Sequence, residues 1–237
     1  TMTENEKKNT LKKQMKKRKI NREKKPRAYF RRALAAFLAA AALSGSVFTA
    51  DTLQTKAAVA ANQAIAIGID VSKYQGAVDW AKVAASGVTF AFIKIGSTKS
   101  GIDPLFAYNM LGAQAAGIKT GVYIYSYAMT PEEAAAEATL VVSWLENFTV
   151  NMPVVFDIET TAQQRLPTAT IQAMCAAFYQ VVDAAGYYPM IYSGKNFWEG
   201  KIGNVPFDKW IAHYNTVCDT ALPVAFWQSS QTGRIPG

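Results

Sequence analysis

The stretch Pro153-Val-Val-Phe-Asp-Ile-Glu159 places four apolar residues directly before two carboxylates that are one residue apart. The run is short and rich in β-branched and aromatic side chains, which predicts a buried β-strand. Because side chains alternate between the two faces of a strand, Asp157 and Glu159 are expected to share a face, with Ile158 on the other. Burying two carboxylates is costly unless they serve a purpose, so the pair is a candidate functional site.

Six further runs predict strands, and helices are expected between several of them. The predicted strands are Ile65–Val71, Thr89–Ile95, Lys119–Ala128, Tyr188–Ser193, Lys209–Tyr214 and Val224–Ser229. Helices are predicted at 80–86, 104–116, 131–148 and 169–185, with Asp79, Thr130 and Thr168 as caps and Pro104 in the first turn of the second. Alternating strands and helices favour a parallel sheet covered by helices. Since the later connections are too short for helices, the expected fold is α/β: an irregular, incomplete (β/α) barrel, TIM-like, with mostly parallel strands.

In β/α barrels the reactive groups cluster at the carboxyl ends of the strands. In this sequence those ends carry Asp70, Lys94, Tyr127, Asp157 with Glu159, Tyr192, His213 with Tyr214, and Gln228. Two nearby carboxylates disfavour joint ionisation, so one of them can hold a proton at neutral pH. A protonated carboxylic acid beside an ionised one is what the hydrolysis of a glycosidic bond requires.

We assign Glu159, which has the longer side chain, as the general acid of such a pair. Asp157 would stabilise positive charge or orient a substrate group, and Asp70 would complete an acidic floor. Aromatic and glutamine side chains around this floor suit a sugar groove, because sugar rings stack on aromatic faces and hydroxyls need polar partners.

The same residues allow other interpretations. Asp157 and Glu159 could be a helix-entry pair or solvated loop acids, the three acids could bind a metal ion, and Lys94 could be a structural ion-pair partner. His213 is more often a core or rim residue than a catalyst. Neither a zinc cluster, a phosphate loop nor a Ser-His-Asp signature is present. Cys175 and Cys218 are too few for a disulfide framework, although one bridge between them is an open alternative.

The formal net charge of +8 is distributed unevenly along the chain. Residues 1–32 contain 14 Lys/Arg and 3 Asp/Glu, whereas residues 33–237 contain 11 and 14. The part expected to fold is therefore mildly acidic and gives no argument for nucleic-acid binding. An apolar stretch at 33–48 follows the basic arm, which is the layout of a secretory signal. Counted to Ala50, the stretch reaches the lower limit for a membrane span, so a retained anchor is the alternative.

Several motifs resemble one known family in order along the chain. They are Gly68-Ile-Asp-Val-Ser72 with Gln75-Gly76, Val78-Asp-Trp80, Phe90-Ala-Phe-Ile-Lys94, Asp103-Pro with Phe106 and Asn109, Gly121-Val-Tyr-Ile-Tyr-Ser-Tyr-Ala128, Pro153 to Glu159, Trp210-Ile-Ala-His-Tyr-Asn215, and Phe226-Trp-Gln-Ser-Ser with Gly233. Over residues 65–237 this resembles glycoside hydrolase family 25, the Chalaropsis-type lysozymes. The resemblance implies an incomplete β/α barrel without metal or cofactor. It also implies N-acetylmuramidase activity, the hydrolysis of the β-1,4 bond between N-acetylmuramic acid and N-acetylglucosamine in peptidoglycan.

By the same resemblance, Glu159 matches the family's proton donor, Asp157 the assisting acid and Asp70 the aspartate of the groove floor. The candidate substrate-binding residues are Gln75, Lys94, Tyr127, Tyr192, Tyr214, Trp227 and Gln228. The expected partner is a peptidoglycan glycan strand, with no nucleic acid, and the protein is expected to be a monomer. Two alternatives are a non-catalytic peptidoglycan-binding module and a related glycosidase that acts on chitin-like polymers.

Two departures from the family pattern bear on these expectations. Many members carry an acid in the loop after the second strand, where this chain has Gly96-Ser97-Thr98. The family also usually has an aspartate shortly after the closing Trp-Gln segment, and the chain reaches only Gly237. The expectation is either a sequence truncated at its C-terminus or a domain without that acid and the last strand.

The predicted organisation is therefore a basic arm at 1–32, a signal h-region or membrane anchor at 33–50, a linker at 51–63 and a family-25-like catalytic domain at 64–237. A small-x-small cleavage site lies at Ala58-Val59-Ala60. The protein is expected to be secreted or to lie on the extracytoplasmic face of the membrane, tethered through 33–50 if the signal is retained.

Overall fold

The computed structural model describes the backbone of residues 58–60 and the whole of residues 64–237. The basic arm, the apolar stretch at 33–50 and most of the linker lie outside these residues, so the export signal stays a prediction. Three residues of the expected linker, Ala58–Ala60, form a short strand. Among the residues that the structure describes, no helix is long and apolar enough to cross a membrane.

Within the described residues, ten strands form two sheets. In chain order they are β1 (Ala58–Ala60), β2 (Gly68–Val71), β3 (Phe90–Ser97), β4 (Gly101–Ile102), β5 (Lys119–Tyr125), β6 (Val154–Asp157), β7 (Pro189–Gly194), β8 (Lys209–Ala212), β9 (Val217–Asp219) and β10 (Phe226–Gln228). Seven of them form a parallel sheet in the order β10-β8-β7-β6-β5-β3-β2. The short β4 adds to β3 as an antiparallel hairpin, and β1 pairs with β9 in a separate two-stranded sheet.

Helices occupy the connections between the parallel strands. They are α1 (Trp80–Ala85), α2 (Phe106–Ala115), α3 (Pro131–Trp144), α4 (Thr161–Gln164), α5 (Thr168–Ala184) and α6 (Lys195–Phe197), followed by a π-helical turn at Trp198–Ile202. A 3₁₀ turn at Lys73–Gln75 follows β2. The mostly parallel, curled sheet with its helices forms a half-barrel, which confirms the predicted fold class.

The two faces of the curled sheet are buried in different ways. Val154 and Phe156 of β6, and Ile158 directly after it, belong to the large core that lies between the sheet and the helices. The intervening Val155 belongs to a smaller cluster, which fills the inner face of the curl together with Phe92, Met190, Tyr192, Trp210 and Ala212. Alternation along each strand therefore separates a helix-facing core from an aromatic inner layer.

The inner layer depends on one glycine of β5. A Cβ atom at Gly121 would lie 2.6 Å from the ring of Phe92 and 2.7 Å from the carbonyl oxygen of Pro153. Without that Cβ, the Phe92 ring packs across β5 and stacks on Trp210 with their centroids 4.4 Å apart. Gly121 therefore allows the sheet to curl tightly around its aromatic filling.

The two ends of the parallel sheet are β2 and β10. Side chains connect them: Gln228 Nε2 donates a hydrogen bond to Asp70 Oδ2 at 2.9 Å. Just below this bond, the Phe226 ring lies 5.3 Å from the Phe90 ring, centroid to centroid. The barrel is therefore incomplete, as predicted, and its gap lies between β2 and β10. Side chains bridge this gap, which we call the seam.

All seven predicted strands are present, but some helix starts differ from the prediction. Helix α2 begins at Phe106 and not at Pro104, because the Asp103 carboxylate accepts hydrogen bonds from the backbone N–H groups of Leu105 and Lys73. Thr168 is the first residue of α5 and not its cap, since Pro167 occupies the cap position. Asp79 and Thr130 cap α1 and α3 as predicted.

The sequence did not predict four short elements, because each is too short to show a periodic pattern of apolar residues. They are strands β4 and β9 and helices α4 and α6. The sequence also left open whether the two cysteines form a disulfide bond. Cys175 and Cys218 are both buried free thiols.

Candidate active site

Three strands bring the central side chains into one row at their carboxyl ends. The register pairs Tyr125 of β5 with Asp157 of β6, and Asp157 with Tyr192 of β7. Asp157 lies on the same strand face as Val155, which is part of the inner cluster. The row therefore lies at the mouth of the half-barrel, where enzymes of β/α architecture place their reactive groups.

Asp157 is the most deeply buried acid of the site. Its side chain is 4% exposed, and its Oδ1 atom has no hydrogen-bond partner. Burial raises the pKa of Asp157 well above the usual carboxyl range, the negative charge of Glu159 raises it further, and the charge of Lys94 lowers it. In the ligand-free protein, Asp157 is therefore the member of the pair on which a proton is best stabilised.

Glu159 lies two residues beyond Asp157 and is only partly buried. Burial raises its pKa, the nearby Lys94 lowers it and Asp70 raises it. The sequence-based assignment put the proton on Glu159 and the charge on Asp157, whereas burial of the ligand-free site favours the reverse distribution. The pair nevertheless holds its proton more tightly than two separated carboxylates would, because their titrations are coupled.

A hydrogen-bond network joins the third acid to the aromatic wall of the site. The amide of Gln228 donates to Asp70, and its Oε1 accepts from Tyr192 Oη at 2.7 Å and from Tyr214 Oη at 3.2 Å. Burial raises the pKa of Asp70, and the bond from Gln228 lowers it. Four of the predicted site residues thus form one connected group on β2, β7, β10 and the segment after β8.

Two lysines lie over two tyrosine rings at the end of β5. Lys94 Nζ is 4.9 Å from the centroid of the Tyr125 ring, and Lys99 Nζ is 3.8 Å from that of Tyr127. The two rings meet edge to face with centroids 5.2 Å apart. The charge of Lys94 acts on both Asp157 and Glu159, so Lys94 is connected to the carboxylate pair electrostatically and to Tyr125 by a cation–π contact.

Three residues singled out from the sequence have other contacts. Gln75 Oε1 accepts from the backbone N–H of Ser72 and caps the 3₁₀ turn. Trp227 points away from Gln228 on β10, packs against the helix-facing core and donates to the carbonyl oxygen of His213. His213 is half-buried and borders this tryptophan. Trp227 therefore lies on the helix-facing side of β10, away from the acids, which corrects the expectation that it lines the groove. A role of the exposed Gln75 in the groove stays a prediction.

Sequence reasoning did not single out Glu137 of α3, and it preferred Tyr127 to Tyr125. Glu137 is 2% exposed, and its Oε1 atom accepts from Thr98 Oγ1 and from the backbone N–H of Tyr127. A signal was available, because Glu137 stands at helical spacing among Ala134, Ala138 and Val141 on the buried face of the helix. An acid in that position predicts a specific polar partner.

Replacing Asp157 by asparagine should remove a pH-dependent loss of stability. A carboxyl whose pKa is raised by folding stabilises the protein fully below its unfolded pKa, and that stability is lost as the pH rises through the folded pKa. The wild-type melting temperature should therefore fall as the pH rises from about 4, and that of Asp157→Asn should fall less. Each tenfold difference in proton affinity contributes about 1.4 kcal/mol.

Thermal unfolding followed between acid and neutral pH provides the measurement for this prediction. Asp219→Asn, at an exposed aspartate on β9, is the matched control and should follow the wild type. Parallel curves for wild type and Asp157→Asn would contradict the interpretation that burial raises the pKa of Asp157.

The arrangement can protonate a leaving oxygen beside a carboxylate that stabilises positive charge. Glu159 is partly exposed and Asp157 is buried. Asp70 is linked through Gln228 to Tyr192, which is the strand neighbour of Asp157. Among the described residues, no group of three or more His, Cys, Asp or Glu side chains has the arrangement of a metal site. The polar groups of the site are thus carboxylates, phenols and an amide.

Comparison with known proteins shows which proteins the whole domain resembles. The model of the glycosyl hydrolases family 25 matches residues 69–237. The chain is 29% identical over 181 residues to the uncharacterized protein YegX of Escherichia coli O157:H7, an alignment that covers 72% of this chain and 65% of YegX. It is also 29% identical over 190 residues to lysozyme M1 of Streptomyces globisporus, covering 72% of this chain and 63% of that lysozyme. The chain thus spans a little less than two thirds of the length of these relatives.

A solved structure agrees with this assignment. The crystal structure of the bacterial lysozyme from Streptomyces coelicolor superposes with a TM-score of 0.61 at 30% sequence identity, covering 72% of this chain and 86% of that protein. The residues that the family model matches include Ile69 to Val71 of β2, the Asp157/Glu159 pair and the Trp227-Gln228 segment. This chain therefore belongs to the glycosyl hydrolases family 25.

Proposed function

We propose that the protein is a lysozyme-type glycoside hydrolase that cleaves the β-1,4 bond between N-acetylmuramic acid and N-acetylglucosamine in peptidoglycan. The observation that carries the proposal is the pair of Asp157 and Glu159 at the mouth of the half-barrel, in a chain of this family. The similarity to lysozymes of two Streptomyces species supports the choice of substrate.

In this proposal Glu159 is the general acid. A sugar bound over the site excludes water from Glu159, which raises its pKa and draws the shared proton from Asp157. Glu159 then protonates the glycosidic oxygen, and the bond between that oxygen and the anomeric carbon breaks. The negative charge left on Asp157 stabilises the positive charge that develops on the sugar ring.

Water completes the proposed reaction. Its oxygen bonds to the anomeric carbon, and one of its protons restores the acid, so that the pair begins the next cycle with the same proton count. Asp70 would contribute a fixed negative charge at the groove floor, held in place by Gln228. Tyr192 and Tyr214 would fix the orientation of the Gln228 amide through their hydroxyl groups.

We also propose that the enzyme works outside the cytoplasm, where peptidoglycan lies. The predicted signal or anchor at 33–50 supports this location. Within the folded part, the excess of acidic over basic residues fits a glycan partner rather than a nucleic acid.

The products of digestion test the proposed bond specificity directly. Purified peptidoglycan is incubated with the protein, reduced with borohydride and hydrolysed to its sugars. A muramidase should release new reducing ends on N-acetylmuramic acid, which borohydride reduces and hydrolysis then yields as muramitol. Cleavage of the other linkage would instead give glucosaminitol. Chitin oligomers are the control substrate and should be cut far more slowly.

Two results would overturn the proposal. Retention on sedimented walls without any new reducing ends would indicate a binding module. Faster cleavage of chitin oligomers than of peptidoglycan would indicate a different glycosidase.

A further inference from the structure

The hairpin formed by β3 and β4 is held rigidly beside the site. A Cβ atom at Gly96 would lie 2.2 Å from the carbonyl oxygen of Gly101, so the two strands approach as closely as glycine permits. At the tip, the backbone N–H of Ser100 donates to Ser97 Oγ at 3.1 Å. The hairpin base is tied to the turn after β2, because the Lys73 N–H donates to the Asp103 carboxylate.

The buried Glu137 ties this hairpin to the end of β5. Its Oε1 atom accepts from Thr98 Oγ1 at 3.1 Å and from the backbone N–H of Tyr127 at 3.0 Å. Thr98 precedes Lys99, and Tyr127 supplies the ring over which Lys99 lies. One carboxylate of α3 therefore fixes both the segment that carries the lysine and the segment that carries its aromatic platform.

The lysine lies at the outer end of a path from the carboxylate pair. The charge of Lys94 acts on Glu159, and direct contacts then lead from Lys94 through the Tyr125 and Tyr127 rings to Lys99. Burial, together with the nearby charges of Glu159 and Asp157, raises the pKa of Tyr125 to about 12. A substrate that extends from Glu159 along these two rings reaches Lys99, which is exposed.

The distribution of charge around the site gives Lys99 a role in selecting substrates that carry an anionic group. The floor of the site carries Asp70 and the Asp157/Glu159 pair, which shares one proton, and the remaining negative charge repels an anionic substituent on a bound glycan. Lys94 is half-buried and its charge is directed at two of these acids. Lys99 is beyond them and presents its ammonium group to solvent. An anionic group on the substrate is therefore stabilised at the hairpin and destabilised at the floor.

We propose that Lys99 is a specificity-determining residue that binds a carboxylate carried by the glycan, and so favours acidic peptidoglycan over neutral chitin-like polymers. This inference rests on the proposed function. Two carboxylates have the required chemistry: those of the stem peptide, and that of the lactyl group once the peptide has been removed. While the peptide is attached, the lactyl carboxyl is an uncharged amide.

Steady-state kinetics of Lys99→Gln test the proposal on both sources of the carboxylate. Intact peptidoglycan presents the peptide carboxylates, and amidase-stripped glycan strands present the lactyl carboxylates. On the glycan that supplies the recognised group, Lys99→Gln should raise KM roughly three- to tenfold and leave kcat unchanged. The other glycan should show the smaller effect, which identifies the source.

Three comparisons separate recognition from a structural role. Lys99→Arg retains the charge and the cation–π contact and should restore the wild-type KM. Lys119→Gln removes an exposed lysine at the opposite end of β5 and should have no effect. The wild-type KM should rise with ionic strength, and that of Lys99→Gln should respond less.

Unchanged KM for Lys99→Gln on both glycans would overturn the proposal, as would an equal effect of Lys119→Gln. Sedimentation binding to the same glycans in the Glu159→Gln background tests Lys99 independently of cleavage. A wild type that binds but does not cut would contradict the proposed function alone, and equal binding with and without the Lys99 charge would contradict this inference alone.

Discussion

Glu159→Gln should lower the rate of peptidoglycan hydrolysis by about 10²- to 10⁴-fold, the usual contribution of a general acid. Glutamine has nearly the same shape as glutamate but cannot give a proton to the glycosidic oxygen. Since Glu159 is only partly buried, the variant should fold normally. The loss should therefore appear in kcat, with binding to cell walls retained.

Release of reducing ends from purified peptidoglycan measures this effect, and wall sedimentation measures binding. Glu146→Gln replaces an exposed glutamate that follows α3 and is the matched control. If Glu159→Gln released reducing ends at the wild-type rate, the assignment of Glu159 as the general acid would be wrong. A comparable loss in Glu146→Gln would show that the assay reports something other than the chemistry of the site.

Phe156→Ala should destabilise the domain by about 3–5 kcal/mol, the range for removing a buried phenylalanine. Phe156 is 0% exposed and stacks on Phe178 of α5 with ring centroids 4.6 Å apart. It therefore connects the strand that carries Asp157 to the longest helix of the described region. The cavity left by the ring would be too enclosed to collapse fully, and the cost of the cavity would add to the lost burial.

Urea unfolding of Phe156→Ala and of the control Leu111→Ala measures this destabilisation. Leu111 lies on α2 and is 61% exposed, so its replacement should change the free energy of unfolding by no more than about 0.5 kcal/mol. A loss below about 1 kcal/mol for Phe156→Ala would contradict the view that this stack is a main contact between the sheet and its helices.

The parallel sheet was predictable because its strands bury both faces. Such strands read as nearly continuous apolar runs, and the run before Asp157 is the clearest example. The alternation that places Val155 inside and Phe156 outside follows from the pleat alone. The position of the acids at the strand ends was therefore accessible from the sequence.

The contacts between the side chains around the site could not be predicted from the sequence in the same way. Gln228 and Asp70 are 158 residues apart along the chain and meet only because the sheet curls. Trp227 reads as a groove residue beside Gln228, but neighbouring residues on a strand point to opposite faces, and Trp227 packs on the outer one. Both partners of Glu137 lie outside its helix, Tyr127 at 10 and Thr98 at 39 residues before it, so the sequence of the helix alone does not identify them.

The distribution of the proton over the acidic pair also depends on tertiary structure. From the sequence, the longer side chain was expected to hold the proton. In the structure, depth below the surface outweighs side-chain length, because the penalty for ionisation grows with burial. Asp157 is enclosed by its neighbouring strands, whereas Glu159 follows the end of β6 and remains in contact with water.

The seam between β2 and β10 affects how a long polymer can approach the domain. In a fully closed barrel every pair of neighbouring strands is locked by a backbone ladder, and the rim has a fixed circumference. Here the Gln228–Asp70 bond and the packing of Phe226 on Phe90 span the gap. Exchanging both for contacts with a ligand would let the rim widen without breaking any backbone ladder. We expect such a rim to accept the middle of a cross-linked glycan strand from the side, so that binding does not require a free end of the strand.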